Sequence, residues 1–246
     1  MTALLLTETF SARVAAAVGS WPLERGLARV VLVEVDAWRP ELASATDLLD
    51  PVEADRVARR RRPRDRDDLA LCYGLHRALL AAWLGCPPRE VPLYRDERGC
   101  PRLDGADVST SLSHADGAFA FVFARAEDGP VGIDLEPRDR ADVMHEVAAA
   151  LCHPAELEAH RRKSRVSAAA SMLRLWVRKE AVLKALGTGM EVPMDSFAVP
   201  DSGVVHLVEY GAPPLRATFV DAGALQYECA VAHRDDVQIA SAWLRP

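Results

Sequence analysis

Helical periodicity alternates with short apolar, β-branched runs along the chain, and the turn "EDGP" (127–130) divides that alternation in two. Each stretch mixes helices with strands of the antiparallel type, so the pattern predicts an α+β fold built from residues 1–127 and 128–246. In the first stretch "RVVLVEVDAW" (29–38) reads as a buried strand, with a short helix before it near 11–18. Asp50-Pro51 opens a helix that runs to Pro63, and Asp65 caps a longer one that ends at Gly85. His76 and Arg77 interrupt that longer helix, which makes it a core helix and not a membrane span. Strands are expected at 91–94, 108–113 and 118–124. In the second stretch the strand "VGIDLE" precedes helices over 141–162 and 168–187. Strands near 197–199, 204–210, 214–220, 225–233 and 237–243 follow.

Composition narrows the function classes. Half of the 246 residues are hydrophobic, 27% are charged and the net charge is −6, a balance that fits a folded core and argues against a general polyanion binder. Five cysteines (Cys72, Cys86, Cys100, Cys152 and Cys229) are scattered without a C-x-x-C pair, which points away from disulfides and zinc and toward a cytoplasmic setting. The start "MTALLLTETF" lacks a basic n-region, and no run reaches the ~18 apolar residues of a membrane span.

Four constellations stand out. "LRLWVRKEAVLKALGTG" (173–189) reads as a helix closed by Gly187, with Trp176, Glu180 and Lys184 four apart on one face. An exposed Glu–Lys pair at that spacing stabilises a helix by only about 0.3–0.5 kcal/mol and says nothing of function. On "VGIDLEP" (131–137), Asp134 and Glu136 share one strand face while Ile133 and Leu135 take the other. Neighbouring carboxylates repel unless a cation lies between them. Oxygen donors suit Mg²⁺, which takes one or two carboxylates and completes its shell with phosphate and water; a solvated acidic edge strand is the alternative. Glu180 would add a third carboxylate. "STSLSHADG" (109–117) ends an alternating strand with Ser113 and His114, whose hydroxyl and imidazole either reach a ligand phosphate or serve only the fold. "DRVARRRRPRDR" (55–66) carries seven arginines, with Arg56, Arg59 and Arg60 at i, i+3, i+4. Such a face binds phosphate well; nucleic acid and plain solvation are the rival readings.

In order and spacing these stretches resemble the 4′-phosphopantetheinyl transferases of the surfactin type. "SLSH" (111–114), "GIDLE" (132–136), "WVRKEAVLKALGTGM" (176–190) and "VPMDSF" (192–197) carry the resemblance, and weaker likeness reaches back to residue 29. It implies a monomer of two similar α/β halves related by a pseudo-twofold, with coenzyme A in the cleft between them. It also implies transfer of the phosphopantetheine arm to a serine of an apo acyl or peptidyl carrier protein, with release of adenosine 3′,5′-bisphosphate. No nucleic acid and no membrane take part. By the same resemblance Asp134, Glu136 and Glu180 hold Mg²⁺. Ser113 and His114 contact phosphate, and Arg56 and Arg59 meet the 3′-phosphate. Glu180 takes the serine proton, directly or through a water, and Lys184 stabilises the leaving phosphate. The first half thus supplies the 3′-phosphate contacts and the second the metal and catalytic residues.

The chain departs from the family pattern at three places. The usual G-K-P turn reads "RGCP", so Cys100 stands where a lysine is expected, and either Arg98 or Arg102 replaces its charge or coenzyme A binds more weakly. Val177 follows the Trp where Ser or Thr is common, and Asp68 stands where a basic residue is common. A catalytically degenerate, carrier-binding homologue and an arginine-rich nucleic-acid module are the competing readings.

Overall fold

The computed structural model describes residues 2–19, 21–161, 164–223 and 226–246. The first stretch runs through helix α1 (Thr2–Val18), strand β1 (Leu27–Glu34) and helices α2 (Val35–Trp38), α3 (Leu42–Thr46), α4 (Pro51–Ala58) and α5 (Pro63–Leu84). Strands β2 (Leu93–Arg95), β3 (Pro101–Leu103), β4 (Val108–Ala115) and β5 (Ala118–Arg125) complete it. The second holds β6 (Gly132–Pro137), helices α6 (Ala148–Leu151), α7 (Pro154–Arg161) and α8 (Arg165–Leu186), and strands β7 (Leu215–Phe219), β8 (Tyr227–Arg234) and β9 (Gln238–Leu244).

One unit occurs twice. β1, α5, β4 and β5 recur as β6, α8, β7 and β8: a strand, a 22-residue helix, then a hairpin whose second strand pairs antiparallel with the first strand. The two similar halves are therefore present in topology although no sequence repeat announces them. Strand order is β4-β5-β1-β9 in one sheet and β6-β8-β7 in the other, while β2 and β3 form a separate ribbon. β9 breaks the division at residue 128, because it runs parallel to β1 and closes the first sheet.

Strand β5 shows why the halves stack. Phe119, Phe121 and Phe123 pack toward α5 with Val31 and Val33. Ala118, Ala120, Val122 and Ala124 face the opposite way, against Ile133, Leu135, Cys229 and Val231 of the second sheet. Small side chains on that face let the two sheets approach closely. The far face of the second sheet (Ala230 and Ala232) packs beneath α8 through Val177 and Ala181. The layers therefore run α5, first sheet, second sheet, α8.

Local departures from the sequence reading have physical causes. The strand expected over 29–38 stops at Glu34, and the chain turns into α2 so that Trp38 is buried, its indole N–H donating to the Leu244 carbonyl at 3.1 Å. The helix expected to reach Pro63 ends at Ala58. Pro63 instead opens α5, where its missing N–H costs nothing. The helix expected over 141–162 is a 3₁₀ stretch followed by α6 and α7, with Pro154 starting the last; residue 162 lies outside the described residues. Among the described residues the runs at 197–199 and 204–210 form no ladder beyond one bridge, Val205 to Leu215. The strand expected from 225 is described from Tyr227 on, and β3, which opens on Pro101, was not anticipated.

Candidate active site

A cavity of about 310 Å³ lies between the halves. Its basic wall comes from Arg56, Arg60, Arg95, Arg98 and Arg102, and its other wall from residues 109–112 and His114 of β4 and from Glu180 and Lys184 of α8. Helix α8 reaches this edge because β6 carries Gly132 beneath it. A Cβ there would overlap the Ala181 carbonyl and the Ala185 amide, so only glycine lets helix and strand approach so closely. The resulting contact brings Lys184 to Asp134.

Asp134 is buried, and its Oδ1 accepts two hydrogen bonds: 2.7 Å from Lys184 Nζ and 2.9 Å from Ser113 Oγ. Lys184 Nζ also donates to Ser113 Oγ at 3.0 Å. Oδ2 of Asp134 is buried with no hydrogen-bond partner among the described residues. Glu136 is held by Arg140 at 2.6 Å, and the Arg140 guanidinium lies 5.1 Å from the centre of the Trp176 ring. Trp176 is half-buried against the second core and so fixes α8 from behind this cluster.

The carboxylates sense one another. Burial, then the charge of Asp134, pushes the pKa of Glu136 up, against the pull of Arg140. Burial and Asp134 do the same to Glu180, with Lys184 opposing and Glu136 adding to the rise. Between their unfolded and folded pKa values the native chain binds more protons than the unfolded one, so this pair's contribution to stability declines as pH rises through the folded values. Metal binding needs both groups ionised. Titration with Mn²⁺ is therefore expected to show affinity falling, as pH drops, at a pH above the ordinary carboxylate range, and an unshifted midpoint would contradict this.

Asp134, Glu136 and Glu180 thus meet at one edge without forming a cage: among the described residues no group of three or more His, Cys, Asp or Glu side chains is gathered tightly enough to hold a metal ion. A hard divalent cation still fits. A buried carboxylate oxygen without a partner is costly, and Asp134 Oδ2 would be satisfied by a cation. Mg²⁺ needs only one or two carboxylates when phosphate oxygens complete its shell.

The remaining expected residues divide. Arg56 lines the cleft, its Nε donating to the Tyr73 hydroxyl at 3.3 Å. Arg59 does not line it and pairs with Asp55 at 2.6 Å; Arg60 stands at the mouth instead. Ser113 points to Asp134 and is absent from the lining, whereas His114 lines both this cleft and an adjoining cavity of about 490 Å³ with Arg60, Arg62 and Arg64. His114 keeps open surface, but atoms crowded around it, then the charges of Lys184 and Arg60, lower its pKa to about 4. At neutral pH it is an uncharged imidazole.

The unusual turn keeps its shape through Asp96. Oδ1 accepts from the amides of Arg98 and Cys100, at 3.1 and 2.9 Å, while Oδ2 holds Arg102 Nε at 3.0 Å. Arg98 spans to the second half, donating to Glu191 at 2.9 Å from Nε and to the Gly187 carbonyl at 3.2 Å. Gly187 itself is the left-handed cap of α8. Both arginines named as stand-ins for the missing lysine line the cleft and are already paired with carboxylates; burial pushes the Cys100 thiol up.

Two buried clusters went unread in the sequence. Lys179, next to Glu180, is fully buried, and its Nζ meets Glu156 at 2.6 Å and the carbonyls of Leu151, Met194 and Phe197 at 2.7–2.8 Å. It ties α7 and the 194–197 turn to α8. Glu53, also fully buried, binds Arg77 at 2.6 Å and Arg95 at 3.2 Å, and Arg77 reaches Asp50 as well. The signal for this second cluster was Arg77 itself, a charge in the middle of an apolar helix.

Residues 130–236 match the model of the 4′-phosphopantetheinyl transferase superfamily. The chain is similar to 4′-phosphopantetheinyl transferase gsp of Aneurinibacillus migulanus, with 32% identity over 50% of this chain and 49% of that protein. It is also similar to 4′-phosphopantetheinyl transferase HetI of a Nostoc strain, with 28% identity over 64% of this chain and 70% of that protein. The match thus spans about half the length of the first relative and more of the second. Among solved structures, a holo-ACP-synthase from Plasmodium yoelii aligns over 42% of this chain and 91% of that one, with 17% identity and a TM-score of 0.36.

Proposed function

We propose, from the match of residues 130–236 to the 4′-phosphopantetheinyl transferase superfamily, that the chain transfers the phosphopantetheine arm of coenzyme A to a serine of an apo carrier protein. One observation supports this most: the cleft sets a wall of arginines opposite Glu180 and Lys184, with Lys184 bonded to Asp134. A polyanion with a long neutral arm fits such a polarised cleft. In the reaction the serine oxygen attacks the phosphorus that bears the pantetheine arm, and the bond from that phosphorus to the bridging oxygen breaks. Adenosine 3′,5′-bisphosphate leaves, and the serine proton passes to a base. Glu180 is that base, directly or through a water: it lines the cleft, and its raised pKa brings it nearer the working pH. Lys184 carries positive charge to the leaving phosphate. Asp134 and Glu136, with Glu180 completing the carboxylate set, would hold Mg²⁺, which when bound neutralises charge developing on the pyrophosphate. Arg56 and Arg60 take the 3′-phosphate, with neutral His114 donating one N–H beside them. The surfactin-type subclass, a monomeric enzyme and a cytoplasmic site belong to the same proposal. Among the described residues no helix is long and apolar enough to cross a membrane.

The test mixes the protein with coenzyme A, Mg²⁺ and a panel of apo carriers and weighs the products. A carrier gaining the mass of phosphopantetheine supports the proposal; no gain across fatty acid, polyketide and peptide carriers, with carrier retained by the protein, favours the degenerate homologue. In the same assay Arg60→Ala is expected to raise KM for coenzyme A by roughly 10- to 150-fold, as for one charge-assisted hydrogen bond. KM for the 3′-dephospho form should change little, and Arg59→Ala should leave both near wild type. Equal losses for both substrates would move Arg60 away from the 3′-phosphate.

A further inference from the structure

Ser113 is the polar atom through which the two halves meet at Asp134. Its residue is 4% exposed, and its Oγ has three neighbours: Asp134 Oδ1 at 2.9 Å, Lys184 Nζ at 3.0 Å and the Leu135 amide at 3.3 Å. A hydroxyl has one proton and two lone pairs. The ammonium and the amide can only donate, so they occupy both lone pairs, and the single proton goes to the carboxylate. The hydroxyl is saturated. It has no proton left for a ligand phosphate while this arrangement holds, and it does not line the cleft.

Ser111 separates two roles. Its Oγ accepts from the Ile133 amide at 3.4 Å, two residues before the Ser113–Leu135 contact on both strands. Among the described residues β6 pairs only with β8, so its amides at 133 and 135 point out of the sheet toward β4. Two serine hydroxyls spaced i, i+2 take the place of a strand on that open edge. Only Ser113 also holds a carboxylate.

We infer that Ser113 is a positioning residue for Asp134, with its hydroxyl fixing the carboxylate through Oδ1 so that Oδ2 is the oxygen left for a cation. This rests on the metal reading above and reassigns Ser113 from the phosphate, where the family resemblance put it. Two oxygens that were free to exchange would each be half-committed to Lys184. The bond from Ser113 breaks that symmetry, because Oδ1 receives two donors and Oδ2 none. Loss of such an outer partner typically weakens a metal site by about 10- to 100-fold.

The test reads Mn²⁺ affinity by electron paramagnetic resonance of the free ion, and coenzyme A affinity by calorimetry, on the full chain. Ser113→Ala is expected to weaken Mn²⁺ binding by about 10- to 100-fold, with coenzyme A affinity at saturating Mn²⁺ unchanged and Ser113→Thr restoring the metal. Ser111→Ala should lower the melting temperature and leave Mn²⁺ affinity intact. If Ser113→Ala does not fold, Ser113→Thr against Ser113→Cys carries the comparison, since the thiol keeps the volume but donates weakly. Coenzyme A affinity lost with Mn²⁺ affinity intact would return Ser113 to the phosphate and overturn the inference. Equal metal loss in Ser111→Ala would reduce Ser113 to a link between halves. A wild type that binds no Mn²⁺ overturns the inference together with the metal site. One that binds Mn²⁺ yet transfers nothing overturns only the proposed function, and the Ser113 comparison still decides.

Discussion

Asp134→Asn is expected to slow carrier modification by about 10²- to 10³-fold or more, the scale on which a lost transition-state electrostatic contact is felt. The fold should survive. Asparagine keeps the shape of the side chain and can still accept from Ser113, and Lys184, with 29% of its side chain exposed, can turn to solvent. Because Lys184 can reach water once its partner is neutral, no uncompensated charge is left buried, so the melting temperature should stay near wild type. What changes is the electrostatics: an amide group placed at Oδ2 presents N–H to the site where a cation would sit. Product mass against time, measured beside a thermal melt, checks both halves of the expectation. Turnover near wild type would remove Asp134 from the metal; equal loss of turnover and of melting temperature would make its role structural.

The sequence revealed the chemistry of this site better than its mechanics. Asp134 and Glu136 on one strand face, and Glu180 and Lys184 on one helix face, follow from periods of 2 and 3.6, which need no tertiary information. That those faces meet depends on Gly132, whose role appears only when the backbone of α8 lies against it. Arg59 and Arg60 are indistinguishable in a run of arginines; the end of α4 at Ala58 directs one to Asp55 and the other to the cleft mouth. Ser113 looked like a ligand contact because a hydroxyl at a strand end suits phosphate. Its commitment to Asp134 is a contact across 21 residues, and no local pattern reports it. The repeat of strand, helix and hairpin was equally silent, since packing conserves the order of elements and not the residues that build them.

Cys100 leaves a gap in charge that two neighbouring arginines are placed to fill. The turn at 96–100 lacks a lysine, yet Arg98 and Arg102 flank the same cleft, each held by a carboxylate, Glu191 and Asp96. These partners lie at the surface or half-buried, so water screens the pairs and either guanidinium can exchange its partner for a phosphate at small cost. The basic wall is thus preformed and its counter-ions are displaceable.

Glu53→Ala is expected to be the most destabilising single change in the first half. Glu53 is fully buried between Arg77 and Arg95, whose side chains are 3% and 2% exposed. Alanine would leave two guanidiniums inside with one carboxylate, Asp50, which reaches only Arg77. Removing one partner of a buried ion pair costs about 3–5 kcal/mol, because the remaining charge stays desolvated. For a chain of this size that is a fall of ~6–20 °C in melting temperature. Glu53 also closes the capping box of α4, adding the loss of a cap to the loss of the pair. Glu53→Gln tells the contributions apart: its one carbonyl oxygen can still accept from Arg77 and the cap, while its NH₂ faces Arg95, which loses its acceptor along with the charge. It should therefore recover part of the loss and no more. Function should follow stability here, because Arg56 stands one turn along α4 and Arg95 stacks on Tyr73 at 3.9 Å beneath it. Loosening α4 would then raise KM for coenzyme A even where the protein is still folded. Thermal melts of the two variants, with KM measured well below the transition, check this. A melting temperature for Glu53→Ala within a few degrees of wild type would mean that water reaches Arg77 and Arg95, and that the cluster is not the anchor its burial implies.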